Sequence, residues 1–311
     1  MLLLLVSCSG SNFDTTQHQT DDTAIEPAEW PTESASDPVA QLTPEQLSDG
    51  ITAVLDVIFR IDPESLHQAQ NSSTDEMEGN CPFTSNTTDT TIWYGQCETK
   101  SGAVFSGSVD YANLSAYTEG RYAYSEYALW IGSASVSYTD GNSLWAAGRS
   151  EEYIRQHSET GTKESYHQIY GNFTWSHPSA EGSWLAEDYG MVIVLEGQEY
   201  TTGGTAVMLN GSMSGVGGDA SVWQVSDFLL YDSDVDGVAS SCTLEPSGVI
   251  SAQDADGHWY DVYFQGPGTT DVSSFPPECD GCGQLYFNDA LLGEVCPDFS
   301  SVLSWSDAPW K

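Results

Sequence analysis

From residue 81 onward the chain is a succession of short segments rich in Thr, Val, Tyr, Trp and Ser, separated by Gly, Asn and Asp. β-branched and aromatic residues favour strands, and the separating residues favour turns, as at 140–142, 159–161 and 203–204. Strands that recur roughly every 8–12 residues indicate a mainly β protein, built as an antiparallel sandwich, a barrel or an extended sheet. The predicted strands cover residues 91–99, 103–111, 127–138, 143–157, 165–176, 191–196, 205–212, 221–230, 248–252 and 258–264.

A short helical segment is predicted ahead of the strands, over residues 44–60. Thr43-Pro44-Glu45-Gln46 places Thr at the N-cap, Pro at the first helical position and Gln three residues after the cap. Leu47, Ile51, Leu55 and Ile58 then recur at helical spacing, which is typical of a helix that packs on a core. Residues 42–311 are therefore expected to form one β domain with an N-terminal helix.

The formal charge of the chain is −39, from 46 acidic and 7 basic residues. Binding to phosphate backbones depends on contacts from Lys and Arg, so this charge excludes nucleic acid as an expected partner. It also disfavours electrostatic docking on anionic lipid, so a membrane-bound protein of this kind would need a covalent anchor.

The chain begins with five apolar residues that lead to a cysteine. Leu5-Val6-Ser7-Cys8 resembles the lipobox of bacterial lipoproteins. The resemblance implies that residues 1–7 are the remnant of a cleaved signal peptide and that Cys8 carries a diacylglyceryl thioether, with its amino group acylated by a chain such as palmitate. Position 9 is Ser, not the Asp that marks inner-membrane retention in many Gram-negative lipoproteins. The resemblance therefore implies the outer membrane and leaves the periplasmic and surface faces open.

A tether is predicted between this cysteine and the domain. Residues 9–41 contain no Lys or Arg, are rich in Asp, Thr, Ser, Glu, Gln and Pro, and show no apolar period. Such a composition cannot bury enough apolar surface to offset chain entropy, so the lipidated Cys8 and the residues up to 41 are expected to form a disordered acidic linker.

Six further cysteines are expected to form disulfides, since an even number in an exported chain indicates a disulfide framework. Cys81 and Cys97 flank a plausible turn at 86–89, so they could face each other on a hairpin. The other four allow three pairings, of which Cys282 with Cys296, across another hairpin, and Cys242 with Cys279 is favoured. The Cys279-x-x-Cys282 spacing also admits a zinc site or a redox pair, but the exterior compartment disfavours zinc thiolates, and no helix is predicted to follow the motif.

One motif has a rationale for binding metal. Asp232, Asp234 and Asp236 alternate ahead of Gly237, the spacing by which calcium loops wrap a hard cation in carboxylates. Position 12 of such a loop is Thr243 instead of Glu, and the flanking residues are predicted as strands instead of helices. The motif is therefore predicted to be either a weak calcium site or a plain turn. The shorter Asp254-Ala-Asp256-Gly257 is predicted to be a turn.

Other chemistry-bearing residues are weaker candidates. His157, His167 and His177 recur every ten residues, and a hairpin near residue 162 would place His157 opposite His167. The acidic pairs at 151–152 and 187–188 resemble a glycosidase pair only in residue type, because 46 acids make such pairs common. The segment at 211–215 has Met at the centre where a nucleophile elbow needs Ser.

Two functions remain open on the sequence alone. The first is an outer-membrane lipoprotein that displays a non-enzymatic β domain, which binds an envelope or surface component or supports the envelope. The second is a secreted carbohydrate-binding or carbohydrate-active protein whose abundant aromatic rings stack on sugars; most such rings in a β protein pack on the sheet instead. A cleft with several coplanar exposed rings and two carboxylates about 5–10 Å apart would favour the second function, and a closed sheet without a pocket would favour the first.

Overall fold

The structure is a computed structural model, which describes residues 38–61, 66, 83–87, 90–178, 183–199, 205–216, 218–231, 245–266 and 280–302. Val39 to Lys311 form one compact unit. The described elements are α1 (Pro44–Arg60), β1 (Phe83–Thr87), β2 (Thr90–Glu98), β3 (Val104–Leu114), β4 (Tyr117–Glu119), β5 (Tyr122–Ser137), β6 (Ser143–His157), β7 (Lys163–Pro178), β8 (Trp184–Glu199), β9 (Thr205–Ser214), β10 (Ala220–Tyr231), β11 (Ser247–Asp254), β12 (Trp259–Gln265), β13 (Gly283–Phe287) and β14 (Ala290–Val295).

All fourteen strands belong to one antiparallel sheet. Its neighbours follow chain order from β1 to β14, except that β4 pairs only with β5. The sheet is open, with β1 and β14 at its two ends. The mainly β prediction is therefore confirmed, and the extended sheet is the architecture that forms among the three that the sequence allowed.

The ten predicted strands all appear, with longer bounds in several cases. β5, β7 and β8 each have 16 residues, whereas the turn-delimited patterns predicted shorter segments. The sequence indicated β1 only through the hairpin expected between Cys81 and Cys97, and β13 and β14 only through the hairpin expected between Cys282 and Cys296. It did not indicate β4. β4 has only three residues, too few for a period to show.

Helix α1 begins and ends where the sequence predicts. The Thr43 hydroxyl accepts a hydrogen bond from the Gln46 backbone at 3.2 Å, and the Gln46 side chain accepts one from the Thr43 backbone at 2.9 Å. This reciprocal pair satisfies two backbone donors at the helix start. No helix in the described residues is long and apolar enough to cross a membrane.

The two faces of the sheet differ in burial. We call inner the face that carries the buried residues of alternate positions, such as Phe105, Trp130, Phe173 and Ile193, and outer the opposite face. Helix α1 lies against the inner face, because a Cβ on Gly50 would stand 2.5 Å from the Trp223 ring. The apolar residues of α1 and of the inner face form one core, which supplies most of the driving force for folding.

Backbones approach closely along one row of the inner face. Gly132, Gly148 and Gly171 are direct register partners in β5, β6 and β7. A Cβ on Gly148 would lie 2.1 Å from the Tyr170 carbonyl oxygen, and one on Gly171 would lie 2.2 Å from that of Ala147. Both residues have positive φ, at 154° and 143°. Only glycine fits there, because a side chain would clash with the neighbouring strand. We call these three residues the glycine row.

The buried carboxylate of Asp254 links the segment before α1 to the hairpin of β11 and β12. Asp254, 2% exposed, accepts backbone hydrogen bonds from Asp256 at 3.0 Å and His258 at 2.9 Å, in the turn predicted between β11 and β12. The Tyr260 hydroxyl donates to Asp254 at 3.3 Å and accepts from the Gln41 backbone at 2.6 Å. Burial acts to raise the pKa of Asp254, but these hydrogen bonds outweigh it and the pKa lies below its ordinary value.

We expect Gly148→Ala to lower the free energy of unfolding by about 3 kcal/mol or more, because the new methyl group meets a carbonyl oxygen of the neighbouring strand. Gly120→Ala is the control: Gly120 also has positive φ, at 57°, but nothing lies within 4 Å of its Cβ position. It should cost only about 1 kcal/mol. Denaturant titration measures both, and equal losses would show that close approach is not the cause.

We expect Asp254→Asn to reduce stability at pH 7 by about 1–3 kcal/mol, since the hydrogen bonds favour the ionised carboxylate. Because the folded pKa is lowered, this contribution is present above the unfolded pKa of about 3.9 and is lost as pH falls through the folded value. The difference between wild type and variant should therefore shrink below about pH 4. Asp140→Asn, in an exposed turn, is the control. A stability difference between wild type and Asp254→Asn that stays constant with pH would contradict this role of the ionised carboxylate.

Candidate functional site

Seven of the sixteen tyrosines lie together on the outer face of β4 to β7. Because side chains alternate along a strand, tyrosines placed at alternate positions of neighbouring strands meet on one face. We call this set the tyrosine surface; its members are Tyr117, Tyr122, Tyr124, Tyr127, Tyr153, Tyr166 and Tyr170.

Four of these rings form two stacked pairs across neighbouring strands. Tyr117 stacks on Tyr124 with ring centroids 4.3 Å apart, and Tyr153 stacks on Tyr166 at 4.7 Å. Both pairs are direct register partners, so they stabilise the sheet as cross-strand aromatic pairs do. For these four rings the packing interpretation of the aromatic residues holds.

Arg155 holds one end of the tyrosine surface together. Its Nε donates to Glu164 at 2.6 Å, and its Nη1 donates to the Tyr124 hydroxyl at 3.2 Å. The guanidinium carbon lies 4.0 Å from the centre of the Tyr122 ring and 4.9 Å from that of Tyr153, within the range of cation–π attraction. Burial acts to lower the pKa of Arg155, but these hydrogen bonds raise it above its ordinary value, so the charge is permanent.

Glu151 organises the middle of the same surface. One carboxylate oxygen accepts a hydrogen bond from the Tyr127 hydroxyl at 3.1 Å, and the other accepts one from Arg149 Nη2 at 2.5 Å. Burial, the charge of Glu151 and this hydrogen bond together raise the pKa of Tyr127 to about 12. Burial likewise raises the pKa of Tyr153 to about 12. These phenols are therefore neutral hydrogen-bonding groups at physiological pH.

An exposed row continues the tyrosine surface along the strands. Ile131, Arg149, Tyr170 and Val192 are consecutive register partners across β5 to β8. Ile131, Tyr170 and Val192 are 41%, 44% and 56% exposed, and they lie in one row across neighbouring strands. Together with the rows that contain Tyr127 and Leu129, this row makes an area of about 14 Å by 14 Å, which we call the outer platform.

A polar cluster on the inner face has the residue types of a catalytic triad but not the geometry. Ser150 Oγ and Glu152 Oε1 both lie 3.2 Å from the same nitrogen of His167, Nε2. A serine triad needs one imidazole nitrogen for the serine proton and the other for the carboxylate. This arrangement therefore does not activate Ser150 as a nucleophile.

A groove of about 320 Å³ lies between α1 and β10, lined by Leu47, Gly50, Asp219 and Trp223 among others. The Gln46 amide donates to the Asp219 carboxylate across its rim. The groove brings no pair of reactive side chains together.

The structure contains the disulfide that the sequence favoured between Cys282 and Cys296. These residues flank β13 and β14, which a tight turn at Asn288 and Asp289 connects, both with positive φ. Cys97 is also disulfide-bonded, and its partner lies outside the described residues. Cys8, Cys81, Cys242 and Cys279 lie there as well.

The prediction that His157 lies opposite His167 is wrong. His157 bonds through its backbone to Thr162, and His167 stands opposite Glu152, because the turn is centred before residue 162. The acidic pairs are separated too, since neighbouring residues of a strand point to opposite faces: within 151–152 and within 187–188 one carboxylate lies on each face.

The candidate calcium ligands Asp232, Asp234 and Asp236 lie outside the described residues, so that site stays a prediction. Among the residues that the structure does describe, no group of three or more His, Cys, Asp or Glu side chains could hold a metal ion.

Sequence reasoning found neither the tyrosine surface nor the outer platform. A signal was present as tyrosines at alternate positions, 122 and 124 in one strand and 153 in the next, but the register that brings Tyr122 and Tyr124 to the face of Tyr127 needs the bulge between Tyr124 and Glu126. Comparison with protein-family models, with characterised proteins and with solved structures gives no match. The function is therefore argued from geometry and chemistry.

We expect Glu151→Gln to lower the pKa of Tyr127, because two of the three largest causes that raise it come from Glu151, while burial remains. Titration of tyrosine ring carbons by NMR should show the Tyr127 value fall from about 12. Glu164→Gln is the matched control, since Glu164 bonds Arg155 instead of a tyrosine. A Tyr127 pKa unchanged by Glu151→Gln would show that the hydrogen bond does not form.

Proposed function

We propose that the protein is an outer-membrane lipoprotein, anchored through Cys8, whose β domain is a non-enzymatic binding module. The outer platform is its binding surface, and it recognises a component of the envelope or of the cell surface. The observation that carries this proposal is the exposed row of Ile131, Tyr170 and Val192 beside hydrogen-bonded charged groups.

Exposure of large apolar side chains in one continuous area supports a binding role. Such contiguous patches on a soluble surface mark interaction sites more often than scattered single residues do. The rigid support also fits, because long paired strands hold the side chains in place without a loop. Tyrosine and arginine are also the residue types enriched in recognition surfaces.

The lipobox-like segment supports the anchor. A flexible acidic linker between a lipidated cysteine and a compact domain would hold that domain off the membrane while leaving its platform accessible. The net charge of −39 also supports a lipid anchor, since the domain has little electrostatic affinity for anionic lipid.

We expect Cys8→Ser to abolish membrane association. The full chain, expressed in a Gram-negative host behind a complete lipoprotein signal, should partition into the detergent phase of a Triton X-114 extract and show the mass of an acylated cysteine. The Cys8→Ser chain should stay in the aqueous phase without added mass. Equal partitioning of both chains would overturn the anchor.

We expect the purified Cys8→Ser chain to bind saturably to outer-membrane fragments of the bacterium that encodes it. Tyr170→Ala combined with Val192→Ser should weaken that binding at least about tenfold, because both substitutions remove exposed contact area. Tyr263→Ala is the matched control, since Tyr263 is 42% exposed on the outer face of β12, away from the outer platform. Unsaturable binding, or equal loss with Tyr263→Ala, would contradict the proposed surface.

A further inference from the structure

We propose that the ligand of the outer platform is a neutral glycan, held by a sugar ring stacked on Tyr170 and by hydroxyl groups bonded to the side chains around it. The inference rests on the proposed binding function and specifies its ligand class.

Tyr170 offers the open ring that stacking requires. Its side chain is 44% exposed, and within the described residues its ring contacts no other ring and its hydroxyl makes no hydrogen bond. The stacked pairs made by Tyr117, Tyr124, Tyr153 and Tyr166 each occupy one ring face already. Apolar C–H faces of sugars pack on free aromatic faces, so Tyr170 is the ring available to them.

Fixed donors and acceptors surround this ring. Arg149, its register partner in β6, presents a guanidinium that is held in place by Glu151, and the Glu151 carboxylate is held by Tyr127. Gln168 lies two residues from Tyr170 on the same face of β7. Neighbouring hydroxyls of a sugar both donate and accept, and a guanidinium, a carboxylate and an amide provide both roles. Their positions are set before any ligand arrives, which lowers the entropy cost of binding.

The charges on the outer face and on the whole chain favour a neutral ligand. Arg149 and Arg155 are each paired with a glutamate, so they act here as hydrogen-bond donors without excess positive charge. The chain as a whole carries −39, which repels acidic polysaccharides as well as nucleic acids. A basic partner would meet Arg149 on the platform and would find more favourable acidic surface elsewhere. A neutral polyhydroxylated chain has no such penalty.

The test is an array of immobilised oligosaccharides, probed with the Cys8→Ser chain at about 0.15 M ionic strength. The neutral members are oligomers of glucose, mannose, galactose and N-acetylglucosamine, and the anionic members are uronate and sulfated oligomers. We expect binding to one or more neutral members and to no anionic one. Binding to anionic members alone, or to no neutral member, would overturn the proposal.

Calorimetry with the best neutral oligosaccharide then tests the site. Tyr170→Ala should weaken Kd about tenfold, equivalent to about 1.4 kcal/mol, and Tyr170→Phe should stay within about threefold because the ring remains. Gln168→Ala should also weaken binding, and Tyr263→Ala should leave it unchanged. Circular dichroism confirms that each variant is folded. Equal affinity of the wild type and both alanine variants of the platform would show that the glycan binds elsewhere.

The envelope assay separates the two proposals. If the ligand is a glycan, periodate treatment of the outer-membrane fragments should abolish binding and protease treatment should not. If protease treatment removes the binding and no oligosaccharide on the array binds, the ligand is not a glycan. The binding function would then stand, with a protein as partner. Neutral glycan binding without any binding to the fragments would refute the envelope target and leave the ligand class standing.

Discussion

The lack of room for a Cβ at the glycine row is the constraint on which the rest of the sheet depends. A Cβ on Gly148 would lie 2.1 Å from a carbonyl oxygen of the neighbouring strand, and one on Gly171 would lie 2.2 Å from another. The register runs through this row without a shift in β6 and β7, so pairing is continuous on both sides of it. Strands of 15 and 16 residues therefore remain paired in one sheet.

The glycine row also accounts for the position of the exposed row. Ile131, Arg149 and Tyr170 each adjoin a member of the glycine row in sequence, and alternation places them on the outer face. The exposed row therefore lies on the outer face, directly beside the glycine row along each strand.

The sequence predicted those elements whose signals are local. The capping box of α1, the ten long strands and the Cys282–Cys296 hairpin each depend on residues within about 15 positions of one another, and the structure contains them. The choice among sandwich, barrel and extended sheet was not predictable, because it depends on which strands pair and on whether the end strands meet. The hairpin between β6 and β7 shows that register is hard to predict even for a short turn. A turn centred at residue 162, instead of between residues 159 and 160, moves the partner of His167 from Glu152 to His157.

The tyrosine surface, which overlaps the outer platform, was not predictable for the same reason. Its tyrosines were visible as composition, but their assembly depends on a bulge in β5 that changes the register by one residue between Tyr124 and Glu126. Without that bulge, Tyr122 and Tyr124 would lie on the face opposite Tyr127. A lone aromatic residue carries little information about function, whereas seven on one face, next to paired arginines and glutamates, define a surface with a specific chemistry.

The most direct test of this account is amide hydrogen exchange at the glycine row. If the ladder is continuous there, the amides of β5 to β7 on both sides of Gly132, Gly148 and Gly171 should exchange together, at the rate set by global unfolding. Fast exchange at these glycines, with slow exchange in the strand halves on either side, would show two separate sheets joined at a hinge. That result would contradict the single continuous sheet.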